Sequence, residues 1–409
     1  MINLKPIRLA IIFDQEIHVG GGYQQALNAA LIAKKIPEDL AEVLFFTTIR
    51  ENLETLLSYG INAKIINISF FAKIKNYIRN EVRNIRILKI IRFFEKYSMF
   101  EKKLLDNKID LIYFLSPSNL AQSLEELNYI TTVWDLAHRE DPEFPEVRFN
   151  RELERRETNY KRILPRATAI LVDSECGKRN LSHYYGIDLK RIKIMPFEAS
   201  EATRQKSDIK IKTNVKISQK YQLNVPYIFY PAQFWSHKNH VYLLKGLSIL
   251  NNKYNISIGA ILSGGDKNNR KHVENCAKAL NLENHIRFIG FVSNEEVKQL
   301  YLQSIALVMP SYFGPTNLPP LEAFNLGVPV LYSNISGPRE QVGDAALLMD
   351  LKDPNSMAIH LKNLIEDKNI RNQLVKEGQK RLGYFNSYDR VGVLIDIIND
   401  FRHKRYSWS

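Results

Sequence analysis

Two cysteines in 409 residues, Cys176 and Cys276, are too few and too far apart for a zinc cluster or a disulfide framework, which points to a reducing compartment. No run approaches the roughly 20 apolar residues that a membrane-spanning helix needs. The first residues lack a basic start followed by an apolar stretch, and the first apolar run, residues 9–13, is short, so no signal peptide is expected. There is no G-x-G-x-x-G, so a dinucleotide fingerprint is unsupported. Zinc-finger spacing and the aromatic signature of an RRM are missing too, which argues against a nucleic-acid partner. No Asp-x-Asp pair occurs, and no metal ligand set is expected. Acid is also in short supply: 44 Asp and Glu stand against 57 Lys and Arg, a net charge of +13. Such an excess suits nucleic acid, an anionic membrane surface or anionic substrates, and composition alone does not choose among them.

What is present reads as a chain of ordinary globular composition, 45% hydrophobic and 25% charged, long enough for two domains. Residues 8–13 (RLAIIF) read as a buried parallel strand, followed by Gly20-Gly21-Gly22 and a helical run from Tyr23. Further strands are expected at 42–46, 63–68, 111–114, 129–133, 169–172 and 192–195, with helices between them. Part of a polar, Lys-rich stretch, 202–221, reads as an interdomain linker or exposed segment. A second series of strands is expected at 227–230, 256–262, 286–289, 306–309, 328–331 and 346–349. Its helices are expected at 240–251, 270–280, 294–303, 318–325, 354–366 and 370–382. The alternation predicts an α/β chain of two successive doubly wound units with a ligand cleft between them.

Residues 73–103 carry ten Lys and Arg against three Glu, interleaved with Ile, Leu, Phe and Tyr. The leading readings are an amphipathic helix or helix pair packed on the sheet with a solvated basic side, or a surface that attracts anionic lipid; nucleic acid is the remaining one.

Four stations could carry chemistry. Gly20–Gly22 after the first strand let a backbone approach an anion or sugar, or simply make a tight turn. Asp135 and His138 follow the strand at 129–133, where open α/β sheets bind ligands. They could orient or deprotonate an acceptor hydroxyl, or cap a turn and sit on the surface. Lys238 opens a helix, a position whose dipole prefers anions, so a bound diphosphate would rationalise it; an exposed lysine is the plain alternative. Glu322 falls one turn inside a helix beginning near Leu318. There it could grip a vicinal diol such as a ribose, or favour the first turn electrostatically. The amides of Thr316, Asn317 and Leu318 are expected open at that helix start.

Taken in order, these segments resemble the retaining nucleotide-sugar glycosyltransferases of family 4, the "glycosyl transferases group 1" type of bacterial polysaccharide and lipopolysaccharide synthesis. GGGYQQALN, TTVWDLAHREDPEF and AILVDSECGKRNLSHYYGI match in the first half. Gln233 with Lys238-Asn239-His240, LSGG (Leu262 to Gly265), IRFIGFVSNEEV, MPSYFGPTNLPPLEAFNLGVPVL and GPREQVGDAALLMD match in the second. The resemblance implies the GT-B fold: an acceptor domain, 1–203, joined by a returning C-terminal helix, 386–409, and a donor domain, 204–385. It implies donor contacts at Gly21, Gly22, Gln233, Lys238, Gly264, Phe291, Val292, Thr316, Asn317, Leu318 and Glu322, with Lys238 on the diphosphate and Glu322 on the ribose. Asp135, His138 and Lys238 would serve catalysis. The chain departs from the family twice. Gly314 stands where the first glutamate of the E-x(7)-E motif belongs, and Trp134 where many members have histidine.

The reading is of a hexosyltransferase in cell-surface glycan synthesis, acting with retention and without metal or cofactor. Its donor would be a nucleoside-diphosphate sugar, mannose- or rhamnose-like among the candidates, and its acceptor a saccharide or lipid-linked saccharide. It would be cytoplasmic, at the inner membrane face through residues 73–103. A non-catalytic nucleotide-sugar or glycan-binding subunit and a nucleotide-sugar epimerase are the alternatives.

Overall fold

The computed structural model describes residues 5–17, 21–69, 71, 96–199 and 216–408. Most of the basic 73–103 segment and most of the 202–221 stretch lie outside these residues. At the described end of the latter, Ile217 is buried and opens a short helix, Ile217–Lys220, with its amide on Gln303 Oε1 at 2.9 Å.

The chain divides into two compact units. The first comprises Met1–Leu136, Leu153–Pro196 and Asp389–Ser409; the second comprises Ala137–Glu152 and Phe197–Tyr388. The first unit holds β1 (Ile7–Phe13), β2 (Ala41–Thr47), β3 (Ala63–Ile65), β4 (Leu111–Phe114), β5 (Asn128–Thr132), β6 (Ala169–Val172) and β7 (Ile192–Ile194). They form one parallel sheet in the order β3-β2-β1-β4-β5-β6-β7. Because side chains alternate along a strand, β1 feeds two cores. Leu9, Ile11 and Phe13 pack with Leu27 and Ala30, whereas Ala10 and Ile12 pack with Phe100, Leu104 and Ile163. Such two-sided burial is what makes a parallel strand read as an unbroken apolar run. The last helix, Arg390–Arg405, joins this unit through Leu394, Ile397, Ile398 and Phe401, one stripe at helical spacing.

The second unit holds β8 (Tyr227–Pro231), β9 (Gly259–Ser263), β10 (Ile286–Gly290), β11 (Leu307–Met309), β12 (Val330–Ser333) and β13 (Leu347–Met349). The order is β10-β9-β8-β11-β12-β13, again all parallel. In both units the strand order reverses beside the first strand, at β1/β4 and at β8/β11. The carboxyl ends of the strands at such a reversal are the usual ligand site of open α/β sheets.

Two elements depart from the sequence reading. Residues 137–152 cluster with the second unit, not with the acceptor domain, because Phe144 and Glu146 pack on its loops. A short helix, Ser336–Val342, was not expected at all. Among the described residues no helix is long and apolar enough to cross a membrane.

Candidate functional site

In the second unit the loops after β8 and β11 meet. The β8 loop ends in a single turn, Ser236–Lys238, and Asn239 takes a left-handed conformation (φ 53°) to start the helix His240–Tyr254. Tyr230, buried in β8, donates its hydroxyl to the Lys238 carbonyl at 3.0 Å and so fixes where the lysine stands. The β11 loop runs to Asn317, which precedes the helix Leu318–Asn325, with prolines in its first turn. Proline is tolerated there because those positions have no intrahelical acceptor for an N–H. Across the two loops Lys238 Nζ donates to Asn317 Oδ1 at 3.3 Å.

The helix start is less open than its sequence implies. The Asn317 amide donates to Gln341 Oε1 at 3.0 Å, and Gln341 Nε2 returns to the Asn317 carbonyl at 2.6 Å. Thr316 is buried. Glu322, half-buried one turn on, accepts from the hydroxyl of Tyr301 at 3.1 Å. Burial, and then the charge of Glu322, push the Tyr301 phenol well above its usual value, so it stays a donor.

The remaining expected donor contacts sit at neighbouring strand ends. Gly264 has φ +143°, and a Cβ there would lie 2.4 Å from the Ala232 carbonyl oxygen, so only glycine fits. Next to it, the Phe291 ring lies against Gly265 and is 62% exposed, a flat apolar face at the end of β10; Val292 follows it, partly buried. The Gln233 side chain is oriented by Trp235, whose indole donates to Gln233 Oε1 at 3.0 Å. Gly314 has φ +105°, and a Cβ there would stand 3.0 Å from Asn317 Nδ2.

Residues 137–152 cover the β11 loop, a placement that no local pattern announces. Phe144 packs on Tyr312 and Phe313 (centroids 5.3 and 5.5 Å), and Phe313 stacks on His237 at 3.8 Å. Glu146 Oε1 takes both the His237 amide (2.9 Å) and ring Nδ1 (2.5 Å). Burial works to raise the Glu146 carboxyl, but the bonds from His237 outweigh it and hold the group below its ordinary value. His138 is on the same segment and is buried rather than on the surface. Beside Lys238, His240 is enclosed by Phe234 (4.5 Å, stacked) and Tyr230. Burial first, and the neighbouring charges of Lys238 and His237 next, lower it to about 3, so the ring is neutral.

In the first unit, Gly21 and Gly22 begin the helix Gly21–Ala33, and a Cβ on Gly22 would meet the Trp134 ring at 2.9 Å. The indole therefore lies across the glycine turn. Asp135 is paired with Arg156 Nη2 at 2.6 Å, and the same guanidinium also reaches the Asp135 carbonyl at 2.9 Å. One acid at this end of the sheet escaped the sequence reading. Asp14, directly after β1, accepts from Ser116 (2.9 Å) and Ser118 (2.5 Å) in the loop after β4. Burial outweighs those bonds and raises its carboxyl. Its only signal was its place after the first strand. Among the described residues no cluster of His, Cys, Asp and Glu could hold a metal ion.

A lysine and a helix-start carboxylate at the β8/β11 crevice coincide with a family match. Residues 212–381 match the family described as "Glycosyl transferases group 1". Over these residues the chain is similar to group 1 glycosyltransferases. The chain is 30% identical over 171 residues to O-antigen chain mannosyltransferase B of Escherichia coli, covering 42% of this chain and 45% of that one. It is 26% identical over 204 residues to O-antigen chain mannosyltransferase RfbU of Salmonella typhimurium, covering 50% and 53%. The matched stretch thus spans about half the length of these curated relatives. The fold match is wider. A glycosyltransferase structure from Rickettsia africae superposes with a TM-score of 0.68 at 15% identity, over 97% of this chain and 98% of that one. Anabaena HepE in complex with UDP-glucose gives 0.68 at 16% identity, over 98% and 100%. The fold is GT-B, with the group 1 domain forming most of its second Rossmann-like unit.

Proposed function

We propose that the protein transfers a hexose-type sugar, with retention, from a nucleoside-diphosphate sugar to a hydroxyl of a saccharide or lipid-linked saccharide in cell-surface glycan synthesis. The observation that carries this reading is the juxtaposition, at the switch point of the group 1 domain, of Lys238 with Asn317 and the helix bearing Glu322. Lys238 faces the diphosphate, Glu322 takes the ribose diol, and Phe291 with Val292 borders the base.

In the reaction the bond from the sugar's anomeric carbon to the diphosphate breaks, and a bond to the acceptor oxygen forms on the same face. The acceptor proton passes to the departing phosphate oxygen, so no protein nucleophile is required. Lys238 counters the charge that builds on the leaving group, the role a divalent ion has elsewhere. The nucleotide sugar is a co-substrate and no further cofactor is invoked. Asp135, oriented by Arg156, and His138 are the groups we assign to orienting the acceptor. The names of the O-antigen relatives make GDP-mannose the first donor to try. Work at the cytoplasmic face of a membrane, held through residues 73–103, would show as salt-sensitive binding to anionic liposomes.

A panel of GDP-, UDP- and dTDP-sugars, screened by thermal shift and then for transfer, tests the proposal. A true donor raises the melting temperature by mass action, and transfer disappears in Lys238→Ala. Stabilisation by no member of the panel, or transfer that survives Lys238→Ala, overturns it.

A further inference from the structure

Lys238 is aimed by a closed circuit of hydrogen bonds. Lys238 Nζ donates to Asn317 Oδ1 (3.3 Å), and Asn317 Nδ2 donates to the Tyr332 hydroxyl (2.6 Å). Tyr332 donates to Gln341 Oε1 (3.4 Å), and Gln341 grips both main-chain groups of Asn317 (3.0 and 2.6 Å). Tyr332 and Gln341 are fully buried, 0% and 1% exposed. A phenol has one proton. With that proton on Gln341, Tyr332 meets Asn317 as an acceptor, which turns the NH2 of the carboxamide inward and its oxygen toward the lysine.

Asparagine is a neutral acceptor. It holds an ammonium in place without cancelling its charge, whereas a carboxylate at the same point would pair with the lysine and repel an incoming phosphate. Gly314 belongs to the same arrangement, because a side chain there would enter the space that the Asn317 carboxamide fills. The chain thus lacks a carboxylate at 314 and has an uncharged lysine rest at 317.

We propose that Asn317 is a positioning residue for Lys238, locked by Tyr332 and Gln341, and that, being neutral, it does not compete with the diphosphate of the donor for the ammonium. The inference rests on the donor reading above and specifies how that site handles charge.

The test is binding of GDP and UDP, with guanosine and uridine as uncharged references, to the unmodified protein and to Asn317→Asp, Asn317→Ala and Tyr332→Phe. Asn317→Asp should weaken the preferred diphosphate about tenfold or more, the scale of one charge-assisted contact, and leave the nucleoside within about twofold. Asn317→Ala should cost less than Asn317→Asp, since it removes the rest without adding a charge. Tyr332→Phe should weaken the diphosphate about threefold, again sparing the nucleoside, and it carries the test if Asn317→Asp does not fold. Unchanged diphosphate binding in Asn317→Asp or Tyr332→Phe, or equal loss of diphosphate and nucleoside, overturns the inference. If the unmodified protein binds neither GDP nor UDP, the donor reading itself fails and this inference falls with it.

Discussion

The hydroxyl of Tyr301, buried between β8 and the helix Leu318–Asn325, donates to Glu322 Oε2 at 3.1 Å. A carboxylate expected to grip a ribose is thus held from behind by a phenol that never ionises in the working range. Replacing it by phenylalanine keeps the ring and removes the bond to Glu322 together with a longer contact to the Pro319 carbonyl at 3.4 Å. Tyr301→Phe should weaken a ribonucleoside diphosphate about tenfold, the value of one bond to a charged group. The 2′-deoxy analogue, which has no vicinal diol, should lose much less. Equal losses for the two ligands would show that Tyr301 supports the fold and does not orient Glu322.

Gly314 is a matter of backbone as much as of missing charge. At φ +105° an L side chain is strained, and its Cβ would crowd Asn317 Nδ2. Gly314→Ala is therefore expected to destabilise the protein by about 1–3 kcal/mol and to loosen diphosphate binding. Gly314→Glu should do the same rather than simply supply the first carboxylate of the E-x(7)-E pattern. Urea unfolding together with GDP and UDP titrations checks this, and an Ala variant of unchanged stability and affinity would contradict it.

His240 sets a pH dependence. Its folded value near 3 lies below the ordinary 6.5, so between those limits the unfolded chain binds a proton that the folded chain does not. Stability then falls as pH falls through that window, by up to about 1.4 kcal/mol per pH unit from this group. His240→Phe, which preserves the aromatic stack, should flatten the change in unfolding free energy between pH 7.5 and 5.5. An unaltered slope in the variant would mean the ring is not held neutral.

Arg156 holds Asp135 by both its side chain and its carbonyl. Burial tends to discharge the guanidinium, but Asp135 and Tyr160 more than offset this and raise its pKa. If Asp135 orients the acceptor, Arg156→Ala and Asp135→Asn should each lower the transfer rate about tenfold or more while nucleotide affinity stays within about twofold. A parallel loss of nucleotide affinity would place the pair outside acceptor handling.

The architecture was legible from local pattern, because a parallel strand buried on both faces must be apolar throughout and so declares itself. The strands at 111–114 and 169–172 and the helices at 318–325 and 354–366 are read to the residue. Lys238 and Glu322 were legible as candidates for the same reason, since each stands at a strand-to-helix junction. Which junctions meet was not legible. Lys238 and Asn317 are 79 residues apart, and only the order of β8 beside β11 brings them together. Gln341 was missed because its helix, Ser336–Val342, is seven residues long and carries Gly337 and Pro338, too short and too poor in propensity to show a period. Residues 137–152 lie between two segments of the first unit in the chain and yet cluster with the second. Their place was decided by Phe144 and Glu146, whose partners His237 and Phe313 come from loops far along the chain. That Lys238 meets the neutral carboxamide of Asn317 is likewise a property of packing, since no local pattern encodes which groups are brought within a few ångströms.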